Sequence, residues 1–195
     1  MEQLVQKDEV LDIAQYEKAR PEFRNKVLAV KENRRILVGD NFYFIFENHL
    51  TVLYQIQEMM RVERIVDDTA IQHEIDTYNE LIPKNGGLSA TMLLEYESPE
   101  TRAKILPELM GIENHVALIV GDLPPVHAQF DQAQIGETRV SSVQYITFPL
   151  EQAHRDQWNQ AANNETLRLL VDHPAYTAEK VISTVVAEAL AADFA

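Results

Sequence analysis

Apolar residues recur at three- and four-residue spacing from about Asp8 to Arg34, with Phe23, Val27 and Val30 on one narrow stripe. This pattern predicts a helical segment. Arg20-Pro21 predicts a break within it, because proline disfavours helical geometry in the preceding residue and suits a first helical turn. Two short apolar runs follow, Ile36-Leu37-Val38 and Phe42-Tyr43-Phe44-Ile45-Phe46, separated by Gly39-Asp40-Asn41. Two such runs around a turn signal read as a β-hairpin. Helical spacing returns from about His49 to Val66. After Asp67-Asp68, a plausible N-cap, it continues to Ile82, where Pro83 and Asn85-Gly86-Gly87 terminate it.

The second half is mostly strand. Leu88, Ala90, Met92, Leu94 and Tyr96 alternate with Ser89, Thr91, Leu93 and Glu95, a period of two that predicts a sheet with one better-buried face. A short helix is expected around Glu100–Met110, strands at Val116–Val120 and Val140–Phe148, a helix at Glu151–Ala162, a strand at Leu167–Val171 and a terminal helix capped by Ser183 or Thr184. Strands joined by short turns favour antiparallel pairing over a repeated strand–helix–strand rhythm. The expectation is an α+β fold of one domain over 1–195: a mainly antiparallel sheet or partly closed barrel, with N-terminal helices and a helical pair inserted between strands.

Composition narrows the chemistry. The chain has 31 acids against 17 bases, a net charge of −14, so phosphate backbones and anionic bilayers are repelled and neither nucleic acid nor membrane is an expected partner. Residues 1–35 carry eight bases and seven acids, whereas the rest carries nine bases and 24 acids. The N-terminal segment is thus suited to dock on the remainder, in the same chain or in another copy. With no cysteine, thiolate nucleophiles, disulfides and iron–sulfur ligation are excluded. The start Met1-Glu2-Gln3-Leu4-Val5 lacks a basic and apolar leader, and the expected compartment is the cytoplasm.

The segment 49–66 carries the sharpest anomaly. On a helical projection Val52, Ile56, Met59, Met60 and Val66 share an arc leading to Leu53, and Glu63 falls in its middle. A carboxylate there must be paired, hydrogen-bonded, metal-bound or protonated. Glu58 and Arg61 stand on the other side at pairing distance, and Glu74 repeats the anomaly among Ile71, Ile75, Tyr78 and Leu81. Either these acids meet an arginine inside the fold, with Arg34, Arg35 and Arg61 as candidate counter-ions, or they converge on a ligand or catalytic site. None of the six histidines lies in a zinc signature: His73-Glu74 opens a His-Glu-x-x-His pattern, but position 77 is Thr77. In Asp172-His173-Pro174-Ala175-Tyr176, proline biases His173 towards extended backbone. The segment offers a base, an orienting acid and a donor, or simply a stiff connection. Phosphate-cradling, dinucleotide and nucleophile-elbow motifs are absent, and no cofactor is indicated.

Tyr54-Gln55-Ile56-Gln57-Glu58-Met59-Met60-Arg61-Val62-Glu63-Arg64-Ile65, Asn79-Glu80-Leu81-Ile82-Pro83, Ala90-Thr91-Met92-Leu93-Leu94-Glu95-Tyr96 and Asp172-His173-Pro174-Ala175-Tyr176 resemble the bacterial domain-of-unknown-function family 3501, over nearly the whole chain. The family supplies no catalytic residues. The resemblance implies a setting, since its genes often lie beside those for rubrerythrin and an iron–sulfur protein of the heterodisulfide-reductase type. The expectation is an accessory or ligand-binding protein of redox or oxidative-stress metabolism, with a rubrerythrin or iron–sulfur protein as partner. The rival is an enzyme acting on a small anionic molecule by acid–base or metal-assisted chemistry, with Glu58, Arg61, Glu63 and His173 around one cleft. A homo-oligomeric module, resting on exposed aromatics such as Trp158, is the third reading.

Overall fold

The computed structural model describes residues 4–194. The Met1–Gln3 start, on which the absence of a leader was read, lies outside the described residues. After a single turn at Lys7–Glu9 come α1 (Ile13–Glu32), β1 (Arg35–Val38), β2 (Phe42–Phe46), α2 (His49–Glu63), α3 (Asp68–Asn79), β3 (Leu88–Leu94) and α4 (Pro99–Glu108). The second half adds β4 (Val116–Val120), β5 (Val126–His127), β6 (Gln129–Phe130), β7 (Val143–Phe148), α5 (Gln152–Asn163), β8 (Leu167–His173), β9 (Tyr176–Val181) and α6 (Thr184–Ala191).

The strands form two antiparallel sheets, one ordered β1-β2-β3-β7-β6 and the other β5-β4-β8-β9. The fold is α+β, and the sheets do not close into a barrel. Phe42, Phe44, Phe46, Ala90, Met92, Ile146 and Phe148 of the first sheet share one core with Val116, Leu118, Val120, Leu167, Leu169 and Val171 of the second. The sheets join where β5 and β6 succeed each other with one residue between. They also meet at Tyr176, whose ring stacks on Phe42 at 4.2 Å and whose hydroxyl donates to the Val38 carbonyl at 2.8 Å. The inserted pair α2 and α3 covers the opposite face of the first sheet through a second apolar cluster, Val5, Val52, Ile56, Met60, Ile75, Leu81 and Ile82, with Tyr145 of β7 against it.

Three expectations are corrected. Helix α1 runs through Pro21 unbroken. Pro21 and Glu17, whose carbonyl loses its partner, are both exposed to water, while buried Tyr16 and Val27 anchor the two halves. Strand β8 runs two residues beyond the expected Val171, and Pro174-Ala175 form the tight turn that joins it to β9, a strand the pattern did not predict; β9 is mostly exposed and so carries no continuous apolar run. Trp158 is fully buried. Its indole N–H donates to the Ala187 carbonyl at 2.9 Å and Phe194 meets it edge-on, which removes the exposed aromatic that suggested oligomerisation.

Four bases of the first 35 residues pair with acids elsewhere in the same chain: Lys7 with Asp68, Arg20 with Glu58, Arg34 with Asp193 and Arg35 with Glu95. Among the described residues no helix is long and apolar enough to cross a membrane.

Candidate functional site

Glu58 and Arg61 of α2 do come together, and their partner is α1. The Glu58 carboxylate accepts the Tyr16 hydroxyl at 2.7 Å and both Arg20 Nε and Nη2, at 2.6 and 2.9 Å, in a bidentate fork. Arg61 lies 3.4 Å from Glu58 and 3.6 Å from Glu17. Arg20 above all, against the cost of burial, and then Tyr16 and Arg61 hold the Glu58 carboxyl down to about 2. Burial and the bond to Glu58 push the Tyr16 phenol above its ordinary range. The network ties two helices, and it leaves the buried Arg61 Nε without a hydrogen-bond partner.

Glu63 contradicts its expected inward placement: it is exposed, as are its neighbours Val62 and Arg64. The stripe of α2 is buried only as far as Met60. Arg64 adopts the left-handed conformation that ends the helix at Glu63, so the residues beyond it leave the helical projection, and Val66 is 75% exposed. His173 is buried in the β8–β9 turn. Its Nδ1 accepts the Ala175 N–H at 3.1 Å and its Nε2 faces the Met110 carbonyl at 3.1 Å, so both ring nitrogens serve backbone partners. The His115 ring packs edge-on against it at 5.0 Å. No hydrogen bond or ion pair among the described residues joins His173 or Glu63 to the Glu58–Arg61 pair. No group of three or more histidine, aspartate or glutamate side chains with the proximity needed for a metal ion occurs among them either.

Where sequence and structure do converge is Glu74. It lines an open cleft of about 720 Å³ between α3 and the helix-covered face of the first sheet. Helix α3 contributes Glu74, Tyr78 and Leu81 as one wall. Strands β3 and β7 give Ser89, Tyr145 and Thr147 as the floor, and the segment after β5 gives Gln129, Phe130 and Asp131 as the far wall. The register sets the floor, for Ser89 opposes Thr147 and Thr91 opposes Tyr145, so these side chains project to the same face. Ser89 is 1% exposed and its hydroxyl has no hydrogen-bond partner among the described residues. The Tyr78 and Tyr145 hydroxyls also lack one. Both phenols are pushed up, first by burial, then at Tyr78 by Tyr145 and Glu74 and at Tyr145 by Glu47. They therefore remain protonated at neutral pH and keep an O–H to donate.

Behind this floor lies Glu47, which the hydrophobic pattern did not reveal. It is 2% exposed, and its two oxygens accept the Thr91 and Thr51 hydroxyls at 2.6 and 2.5 Å. The nearby Arg34 guanidinium donates instead to the Phe46, Glu47 and Ala189 carbonyls and pairs with Asp193. The alternation of Ser89 and Thr91 in β3 was the available signal for this polar layer; what it lacked was the knowledge that helices cover that face.

The family model described as "Protein of unknown function (DUF3501)" matches residues 4–194. A crystal structure of a novel protein of unknown function from Burkholderia pseudomallei K96243 is similar throughout. It is 33% identical, covers 99% of this chain and 100% of its own, and has a TM-score of 0.89. No curated protein matches. The match over nearly every residue places this chain in the DUF3501 family.

Proposed function

We propose that the protein binds a small organic molecule in the cleft between α3 and the first sheet, as an accessory protein of the redox or oxidative-stress setting that the family resemblance implies. The observation that carries the binding reading is Ser89: a side chain 1% exposed, on the floor of a roughly 720 Å³ cleft, with an unpartnered hydroxyl. Buried polar groups are normally satisfied. The Ser89 oxygen is not sealed from solvent, so water or a ligand entering the cleft supplies the bond that the described residues do not. Apolar Leu81, Phe130 and Ile146 beside a few convergent polar groups give the mixed lining usual for small-molecule sites. The rival enzyme built on Glu58, Arg61, Glu63 and His173 has less support, since two of the four are engaged with α1 and a third with backbone.

Native mass spectrometry of gently purified protein tests this reading, with Thr147→Trp as the comparison, because Thr147 is an exposed position on the cleft floor where an indole fills the cleft without entering the core. The expected result is one small-molecule mass per wild-type chain and none on the variant. Equal occupancy of the two proteins, whether loaded or bare, overturns it. The redox setting is tested separately by deletion of the gene, which is expected to raise peroxide sensitivity; unchanged sensitivity removes the setting.

A further inference from the structure

Resting on the binding reading above, we propose that the cleft selects an organic cation, a protonated amine carried on an apolar body, and that Glu74 is the residue that selects it. Among the described residues the charged side chains on the lining are Glu74, Glu80 and Asp131, with no lysine, arginine or histidine. Glu80 is neutralised by Lys84 at 2.7 Å. Glu74, half-buried, has neither hydrogen bond nor ion pair among the described residues. A partly desolvated carboxylate facing a cleft without a counter-ion lowers the local potential, and the net charge of −14 deepens it at long range. An anionic ligand is repelled by the same arrangement.

The neighbouring side chains suit the rest of such a ligand. Tyr78, one helical turn from Glu74, and Tyr145 across the cleft present phenol rings, whose faces attract an ammonium group. Phe130 and Leu81 offer apolar surface for the body. The Ser89 hydroxyl is free to accept an N–H from the ammonium or to bond a polar substituent, which gives the floor the partner it lacks. A neutral ligand satisfies Ser89 but leaves Glu74 uncompensated; only a cation does both.

Calorimetric titration with phenethylammonium, phenethyl alcohol and hydrocinnamate at neutral pH and low salt tests the proposal, since the three probes share a phenyl body and differ in charge. Wild-type protein is expected to bind the ammonium at least about tenfold more tightly than the alcohol and to show no heat with the carboxylate. Glu74→Gln, at a partly exposed position that leaves the core intact, is expected to cost the ammonium about tenfold while the alcohol changes by less than about twofold. Equal or tighter binding of the alcohol or carboxylate, no effect of Glu74→Gln on the preference, or no binding of any probe overturns the inference. If native mass spectrometry finds the wild-type cleft loaded and the Thr147→Trp cleft empty while any of these holds, cation selection alone falls; if neither method finds a cleft ligand, the binding reading falls with it.

Discussion

Glu58 and Glu63 stand on the same helix and differ in everything that sets the worth of a carboxylate. Glu58 has Arg20 in a bidentate grip, the Tyr16 hydroxyl and Arg61; Glu63 is exposed and has none. Because the folded state holds the Glu58 carboxyl at about 2, below the ordinary carboxylate range, its contribution is complete above the unfolded value and fades as the pH falls from about 5 towards 2. Glu58→Gln is expected to lower stability by about 1–2 kcal/mol at neutral pH and to flatten that acid limb. Glu63→Gln is expected to stay within about 0.5 kcal/mol of wild type at neutral pH. Urea unfolding across pH checks both. Helical periodicity carries the apolar arc past the end of the helix, which stops at Glu63. An arc of apolar neighbours gives the direction of a side chain only while the helix continues, and here Val62 and Val66 on either side of Glu63 are exposed.

Among the elements, helix ends were more legible than helix interiors. Asp67 caps α3 by accepting the Thr69 and Ala70 N–H groups, and Ser183 caps α6 by accepting from Val186, as their residue types and positions foretell. The β1–β2 hairpin follows just as directly, with Gly39 at a φ of +63° in its turn. Pro21 misled because a proline on a water-facing side costs a hydrogen bond without having to break a helix whose two halves are anchored elsewhere. Pro21→Ala restores the N–H towards the Glu17 carbonyl and is expected to raise stability by about 1–2 kcal/mol, after the greater freedom it gives the unfolded chain. An unchanged or lowered urea midpoint contradicts this account of α1. Strand β9 escaped notice for a different reason: as an outer strand with most residues exposed, it is specified by its pairing to β8 more than by its own pattern.

At the scale of the whole molecule, two sheets share a core and the helical pair lies across one outer face. The polar residues of that face, Glu47 just past β2, Ser89 and Thr91 of β3, and Tyr145 and Thr147 of β7, lie far apart in sequence. Their convergence depends on the β2-β3-β7 order and register, which no local pattern encodes. Glu74 was visible as a misplaced acid on an amphipathic helix, but its partners were not. Arg34 clasps the C-terminal segment to the end of β2 through Ala189, Phe46 and Asp193, so the chain ends stabilise the frame on which the cleft is built. On the proposed reading a ligand sits in the cleft, and not at the Glu58 network or the His173 turn. Backbone-amide NMR during titration with phenethylammonium tests it most directly. Saturable shifts are expected at Glu74, Tyr78, Ser89, Gln129 and Tyr145, with Glu58, Arg61 and His173 unmoved; shifts centred on those last three residues, or none at all, rule out a ligand in the cleft.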